Sequence, residues 1–156
     1  VKAYRVGVIS DTHGVLRLDV LEALQGVDII IHAGDVGRPE VLEQLGEVAS
    51  VVAVKGNVDR AEWALGLREN EVVELGDVLI YVLHDLNRLD LDPAAAGFKG
   101  IIYGHSHRPS EEWREGVLYL NPGSAGPRRF VLPVSMAILE VRDGALDVRF
   151  ISLDGE

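Results

Sequence analysis

Apolar residues fall in short runs that stop at a glycine or a polar residue, and the spacing within those runs changes along the chain. Residues 4 to 10, YRVGVIS, form an apolar run ending at Asp11, and residues 15 to 25, VLRLDVLEALQ, put Leu18, Leu21 and Leu24 on one helical face. VDIIIHAGD follows, with a near-continuous apolar strand from Val27 to Ala33, after which Pro39 opens a helix through Leu45. VASVVAVKGN repeats the scheme with a Val-rich strand that again ends in glycine and a polar residue. Three strand-and-helix steps, with strands apolar on both faces, predict a parallel sheet covered by helices.

The second half has a different rhythm. Gly76-Asp77 separates two apolar runs within residues 71 to 83, which is a strong hairpin signal. Residues 90 to 97 are expected to form a short helix, GIIY a strand and VLYLNPGS another. Val134 to Val141 and Ala145 to Ile151 flank Arg142-Asp143-Gly144 as a closing hairpin. A parallel half followed by a more antiparallel half, without repeats or a linker, predicts an α/β fold of two packed mixed β-sheets flanked by helices.

At 156 residues and 47% hydrophobic, the chain suits one domain spanning 1–156. No apolar stretch approaches the roughly 18 residues that a membrane span needs, so neither a span nor a signal peptide is expected, and a cytoplasmic setting is compatible. There is no cysteine, so a bound metal must be held by nitrogen and oxygen. Fifteen Lys and Arg against 25 Asp and Glu give a net charge of -10, which argues against a nucleic-acid surface.

The acidity gains a sharper meaning at the strand ends, where Asp11 and His13 (DTH), Asp35 (GD), Asn57 (GN), His84, and His105 with His107 (GHSH) each follow an apolar run. Ligands collect at the carboxyl ends of strands in open α/β sheets, because the loops there converge on one crevice. Residues two apart on an extended segment share a side, so Asp11 with His13, and His105 with His107, are expected to face one pocket. Each piece taken alone has a plainer explanation: a turn, a loop amide or a satisfied core histidine. His32 reads as the last of these, hydrogen-bonded behind the site and supporting a ligand. The joint occurrence of seven N and O donors at successive strand ends points to metal chemistry.

DxH, GD, GN, H and GHxH in this order resemble the calcineurin-like metallophosphoesterase superfamily. Short length, GNVD at 56–59 and NPGS at 121–124 make the chain most similar to its small YfcE-type phosphodiesterase subgroup, to which a retromer subunit of the same fold also belongs. The resemblance runs from Asp11 to Ser124 and implies an αββα sandwich holding two divalent ions, manganese first, with nickel, cobalt, iron or zinc as alternatives. It implies Asp11, His13 and His107 at one ion and Asn57, His84 and His105 at the other, with Asp35 bridging. Two such ions activate a bridging water or hydroxide and clamp the oxygens of a displacement at phosphorus. The implied activity is hydrolysis of a small or aryl-type phosphodiester, with phosphomonoester hydrolysis or a non-catalytic interaction scaffold as alternatives. No membrane or nucleic-acid partner is implied, and a homo-oligomer is left open.

Two positions depart from the family pattern. Val58 stands where the larger superfamily has a histidine able to protonate the leaving oxygen, and Asp85 stands where glycine commonly follows the ligand His84. Asp59, Arg60, Arg38 and Arg108 are candidate substrate contacts, the arginines as partners for phosphate oxygens. Asn121 to Ser124 is expected to be a loop near the site.

Overall fold

Ten strands form among the described residues, 3–128 and 131–153 of the computed structural model. In chain order the elements are β1 (Ala3–Ile9), α1 (Leu18–Ala23), β2 (Ile29–His32), α2 (Pro39–Gly46), β3 (Ser50–Ala53), β4 (Asn70–Leu75), β5 (Val78–Leu83), β6 (Gly100–Ile102), β7 (Ser110–Arg114), β8 (Val117–Asn121), β9 (Ser135–Arg142) and β10 (Ala145–Ser152), with 3₁₀ turns at Glu62–Gly66 and Leu86–Arg88. The strands pair into two sheets of five, β10-β9-β1-β2-β3 and β4-β5-β6-β8-β7.

Both sheets are mixed. β1, β2 and β3 run parallel, as do β5, β6 and β8, while the hairpins β4/β5, β7/β8 and β9/β10 are antiparallel. The closing hairpin returns to the first sheet, where β9 lies antiparallel to β1. The inner faces meet through alternate residues of both sheets, with Val6, Val8 and Ile31 packed into one cluster with Ile80, Val82, Ile102 and Leu120. Each such fully buried side chain contributes about 1.5–3 kcal/mol of transfer free energy. The outer face of the first sheet packs on the helices through Ile9, Ile30, Val20, Leu24, Val41 and Leu45. The second sheet carries a thinner cover, in which Leu86, Leu89, Leu91 and Phe98 lie over Tyr81, Leu83, Ile101 and Tyr119.

Several expected elements differ in detail. α1 starts at Leu18, and residues 15–17 belong to the loop that carries Asp11 and His13. The buried helical positions are Val20 and Leu24, whereas Leu18 is 71% exposed. Residues 90–97 make a turn in place of a helix: the Asp92 carbonyl accepts the Ala96 N–H, and Gly97 at φ +89° breaks the continuation. The unexpected strand is β7, SEEWR, an edge strand too polar to show an apolar pattern; Glu115 and Gly116 turn it into β8 with positive φ. β3 is only partly buried because it is the edge of its sheet. No helix among the described residues is long and apolar enough to cross a membrane.

Register explains why the polar residues converge. Ile9 pairs with His32 and Val82 with Ile102, so in each sheet neighbouring parallel strands end level. The loops beginning at Asp11 and Ala33 leave side by side, as do those beginning at His84 and Gly104, whose backbones are joined by a 3.0 Å hydrogen bond.

Candidate metal centre

Asp11, His13, Asp35, His84 and His107 come together at this end of the sandwich. His84 Nε2 lies 3.3 Å from Asp35 Oδ2, and His13 Nε2 lies 3.5 Å from the same oxygen. Asp11 Oδ1 is 3.3 Å from His107 Nε2, 3.8 Å from His13 Nε2 and 3.9 Å from His84 Nε2. These atoms form two overlapping groups, Asp11 with His13 and His107, and Asp11 with Asp35 and His84. His105 is exposed at the rim, its ring edge-on to that of His84 at 5.2 Å. Asn57 is also exposed and shares the wall of a cleft with His84.

The backbone achieves this differently from the extended arrangement expected. Asp11, His13, Asp35, His105 and His107 all adopt positive φ, between 51° and 75°. Non-glycine residues enter this left-handed region at a cost of about 1–3 kcal/mol and persist there only where surroundings enforce it. Here the enforcement is visible: the N–H groups of Asp11 and His13 donate to the carbonyls of Gly34 and Asp35 at 2.9 Å. The glycines of the GN and GH motifs provide close approach. A Cβ on Gly56 would collide with the backbone and carboxylate of Asp35, and one on Gly104 with Ser10 Oγ and Asp11 Oδ2.

Asp11 and Asp35 each have one carboxylate oxygen held and one offered. Ser10 Oγ donates to Asp11 Oδ2 at 2.6 Å and the His105 N–H at 3.1 Å, leaving Oδ1 toward the histidines. The Val58 N–H donates to Asp35 Oδ1 at 3.0 Å, leaving Oδ2 between His13 and His84. His84 donates Nδ1–H to the Ala33 carbonyl at 2.8 Å, which turns Nε2 to the carboxylates. A histidine anchored this way through its other nitrogen is the usual arrangement of a metal ligand.

Burial pushes the Asp35 pKa up, but the contact with His84, the Val58 N–H and the charges of His84 and His13 hold it well below the usual carboxylate range. Burial opposes a charged His84, yet Asp35 and Asp11 prevail and raise its pKa above the ordinary value. Asp11 Oδ1, His84 Nε2 and His107 Nδ1 are buried with no hydrogen-bond partner among the described residues. The 3.3–3.9 Å separations exceed good hydrogen-bond lengths. They approach the spacing of donors around one ion, since ligands about 2.0–2.2 Å from a metal stand roughly 3–3.5 Å from each other. The donor set therefore fits divalent metal.

A supporting layer was only partly legible. His32 is fully buried, accepts the Gly34 N–H at Nδ1 and lies 2.9 Å from Thr12 Oγ1 through Nε2, tying the two ligand turns together as expected. Burial lowers its pKa to about 4 against the pull of Asp11, Asp59 and Asp35, so it is neutral. Asp59, a candidate substrate contact, serves as a brace: buried, it accepts the N–H groups of Val36, Gly37 and Gly56 at 2.9–3.1 Å. Asn121 ends β8, fully buried, and donates to Gly104 O at 3.0 Å and Ser106 Oγ at 3.1 Å, clamping the GHSH turn. Ser10 and Asn121 carry no spacing signal that would reveal these roles.

A cleft of about 570 Å³ runs outward from His84 and Asn57 between Lys55, Arg60, Glu69, Tyr81, Asp85 and Arg88. Asp85 lines it while its Oδ1 caps the 3₁₀ turn by accepting the Asn87 N–H at 3.1 Å. Arg38 turns to Glu40 at 3.8 Å, and neither it nor Arg108 is among the cleft walls.

Comparison with known proteins gives the geometry its context. Residues 4–144 match the calcineurin-like phosphoesterase superfamily domain. The chain is 37% identical to a probable metallophosphoesterase of Methanocaldococcus jannaschii, over 96% of this chain and 81% of that one. It is 29% identical to phosphodiesterase YfcE of Escherichia coli, over 84% of each. A crystal structure from Streptococcus pneumoniae, described as a predicted phosphoesterase, superposes with a TM-score of 0.78 at 32% identity, covering 100% of this chain and 93% of that one. The chain belongs to the calcineurin-like phosphoesterase superfamily, and it is a metal-dependent phosphoesterase.

Proposed function

We propose that the protein hydrolyses a small or aryl-type phosphodiester with two divalent ions, of which manganese is the first choice and nickel, cobalt, iron and zinc suit the same donors. The observation that carries this reading is Asp35 Oδ2, poised between His13 and His84 at 3.5 and 3.3 Å with no other heavy demand on it. Asp11, His13 and His107 would hold one ion, Asn57, His84 and His105 the other, and Asp35 both. When bound, such a pair supplies an activated water nucleophile and offsets charge on the phosphoryl oxygens.

The chain's own residues do the rest. Ser10 and the His105 N–H fix the Asp11 carboxylate, Ala33 fixes the His84 ring and the Val58 N–H fixes Asp35, so the donors are preorganised. The cleft beginning at His84 and Asn57 is large enough for one ester group of a diester. A monoester would bring one more negative charge to a chain of net charge -10, in a cleft where Glu69, Asp85 and Asp90 stand against Lys55, Arg60 and Arg88. Likeness to the Escherichia coli phosphodiesterase supports the same choice.

The test is a panel of matched nitrophenyl diesters and monoesters, assayed after chelation and after reconstitution with each metal. Diester turnover restored by metal, and exceeding monoester turnover, is the expected result. A preference for monoesters would replace the diester reading, and reconstituted protein inert toward every ester would favour a scaffold role.

A further inference from the structure

The proposed reaction lacks an evident proton donor for the leaving oxygen. Val58 occupies the position where a histidine would serve, its side chain is 49% exposed, and it is not among the cleft walls. Two residues on, Arg60 does line the cleft, together with His84 and Asn57. Its Nε donates to the Asn57 carbonyl at 3.0 Å, which pins the guanidinium to the turn carrying a proposed metal ligand while leaving both terminal nitrogens unspent.

Arg60 is also unneutralised. Arg17, Arg38 and Arg114 each pair with a carboxylate two residues away, at 3.3, 3.8 and 2.6 Å. Among the described residues no carboxylate comes within ion-pair distance of Arg60, although Asp59 and Glu62 are near in sequence. Asp59 is withheld because its two oxygens are taken by three backbone N–H groups. A tethered guanidinium without a carboxylate partner, on the wall of a cleft it shares with His84 and Asn57, is suited to a developing oxyanion.

We propose that Arg60 is a catalytic residue that hydrogen-bonds the leaving oxygen, bearing as charge what a histidine at position 58 would neutralise with a proton; this rests on the phosphodiesterase reading above. In the step, a water oxygen forms the new bond to phosphorus and releases a proton to solvent. The ester P–O bond breaks and its electron pair stays on the leaving oxygen, which is held by the guanidinium and takes a proton from solvent after departure. The products are a phosphomonoester and an alcohol or phenol.

The experiment measures kcat/KM for wild type, Arg60→Ala, Arg60→Lys and Arg88→Ala over diesters that share one retained group and differ in leaving-group pKa, with metal content measured for each protein. Arg60→Ala is expected to keep its metal, to lose about tenfold with nitrophenyl leaving groups and about 10²–10³-fold with alkyl ones, and to regain part of the loss on adding millimolar guanidinium. A loss equal across the series would move Arg60 to a non-bridging oxygen and overturn the assignment. So would loss of metal, which would make Arg60 a support for Asn57, or the same steepening in Arg88→Ala instead. Wild-type protein inactive on every diester would refute the phosphodiesterase reading itself, an outcome read before any variant is compared.

Discussion

Asp59 offers a prediction whose size follows from its surroundings. Its Oδ2 accepts from Val36 N at 3.1 Å and Gly56 N at 2.9 Å, and its Oδ1 accepts from Gly37 N at 2.9 Å, with the side chain 1% exposed. Asp59→Asn best keeps its amide oxygen at the Oδ2 position, retaining two bonds without the charge and setting an NH₂ against the Gly37 N–H. Losing charge assistance costs about 1 kcal/mol per retained bond, and the orphaned donor about 1–3 kcal/mol, for a total near 4 kcal/mol. Asp59→Ala frees all three donors but admits water, so a loss of about 5 kcal/mol is expected. Because the same carboxylate joins the Asp35 turn to the Asn57 turn, metal affinity should fall as well. Urea unfolding of the metal-free proteins gives the stability, and calorimetric metal titration gives the affinity. Asp59→Ala within about 1 kcal/mol of wild type, with unchanged metal binding, would refute the bracing role.

Asp35→Asn keeps the shape and the bond from Val58 N but removes the charge facing His13 and His84; metal affinity should drop by at least about 10², and more than in His13→Ala, by elemental analysis after dialysis. Val58→His should flatten the dependence of kcat/KM on leaving-group pKa if the imidazole reaches the leaving oxygen, since general acid catalysis contributes about 10²–10⁴; an unchanged slope would show that it does not. His32 predicts a pH effect on the metal-free protein. Its folded pKa of about 4 lies below the unfolded 6.5, so its contribution is complete above pH 6.5 and is lost as pH falls toward 4, amounting to about 3 kcal/mol. Comparing the pH dependence of unfolding for wild type and His32→Gln isolates this contribution, and equal slopes between pH 4 and 6.5 would contradict it.

What the sequence revealed and what it hid have separable physical causes. Apolar runs such as Ile29–Ile31 and the Gly76-Asp77 turn report burial and turn geometry directly, so the parallel strands and the hairpin were legible. β7 was not, because an edge strand facing water needs no apolar residue. At the site, motif order named the donors, and the structure gathers five of them while placing Asn57 and His105 at the rim. The left-handed backbone of Asp11, His13, Asp35, His105 and His107 was hidden, since nothing in their side chains favours positive φ over extended backbone strongly enough to show. The bracing roles of Asp59 and Asn121 were hidden for a related reason. A carboxylate or amide beside a ligand loop looks the same whether it faces substrate or backbone N–H groups, and only the folded chain distinguishes them.

The central claim is that catalysis needs two ions shared through Asp35. The most direct measurement titrates chelated protein with manganese and follows bound metal and bis(p-nitrophenyl) phosphate hydrolysis in the same samples. Activity that stays low through the first equivalent, rises with the second and is abolished in Asp35→Asn is the predicted result. Full activity at one equivalent, or activity indifferent to chelation, would contradict it.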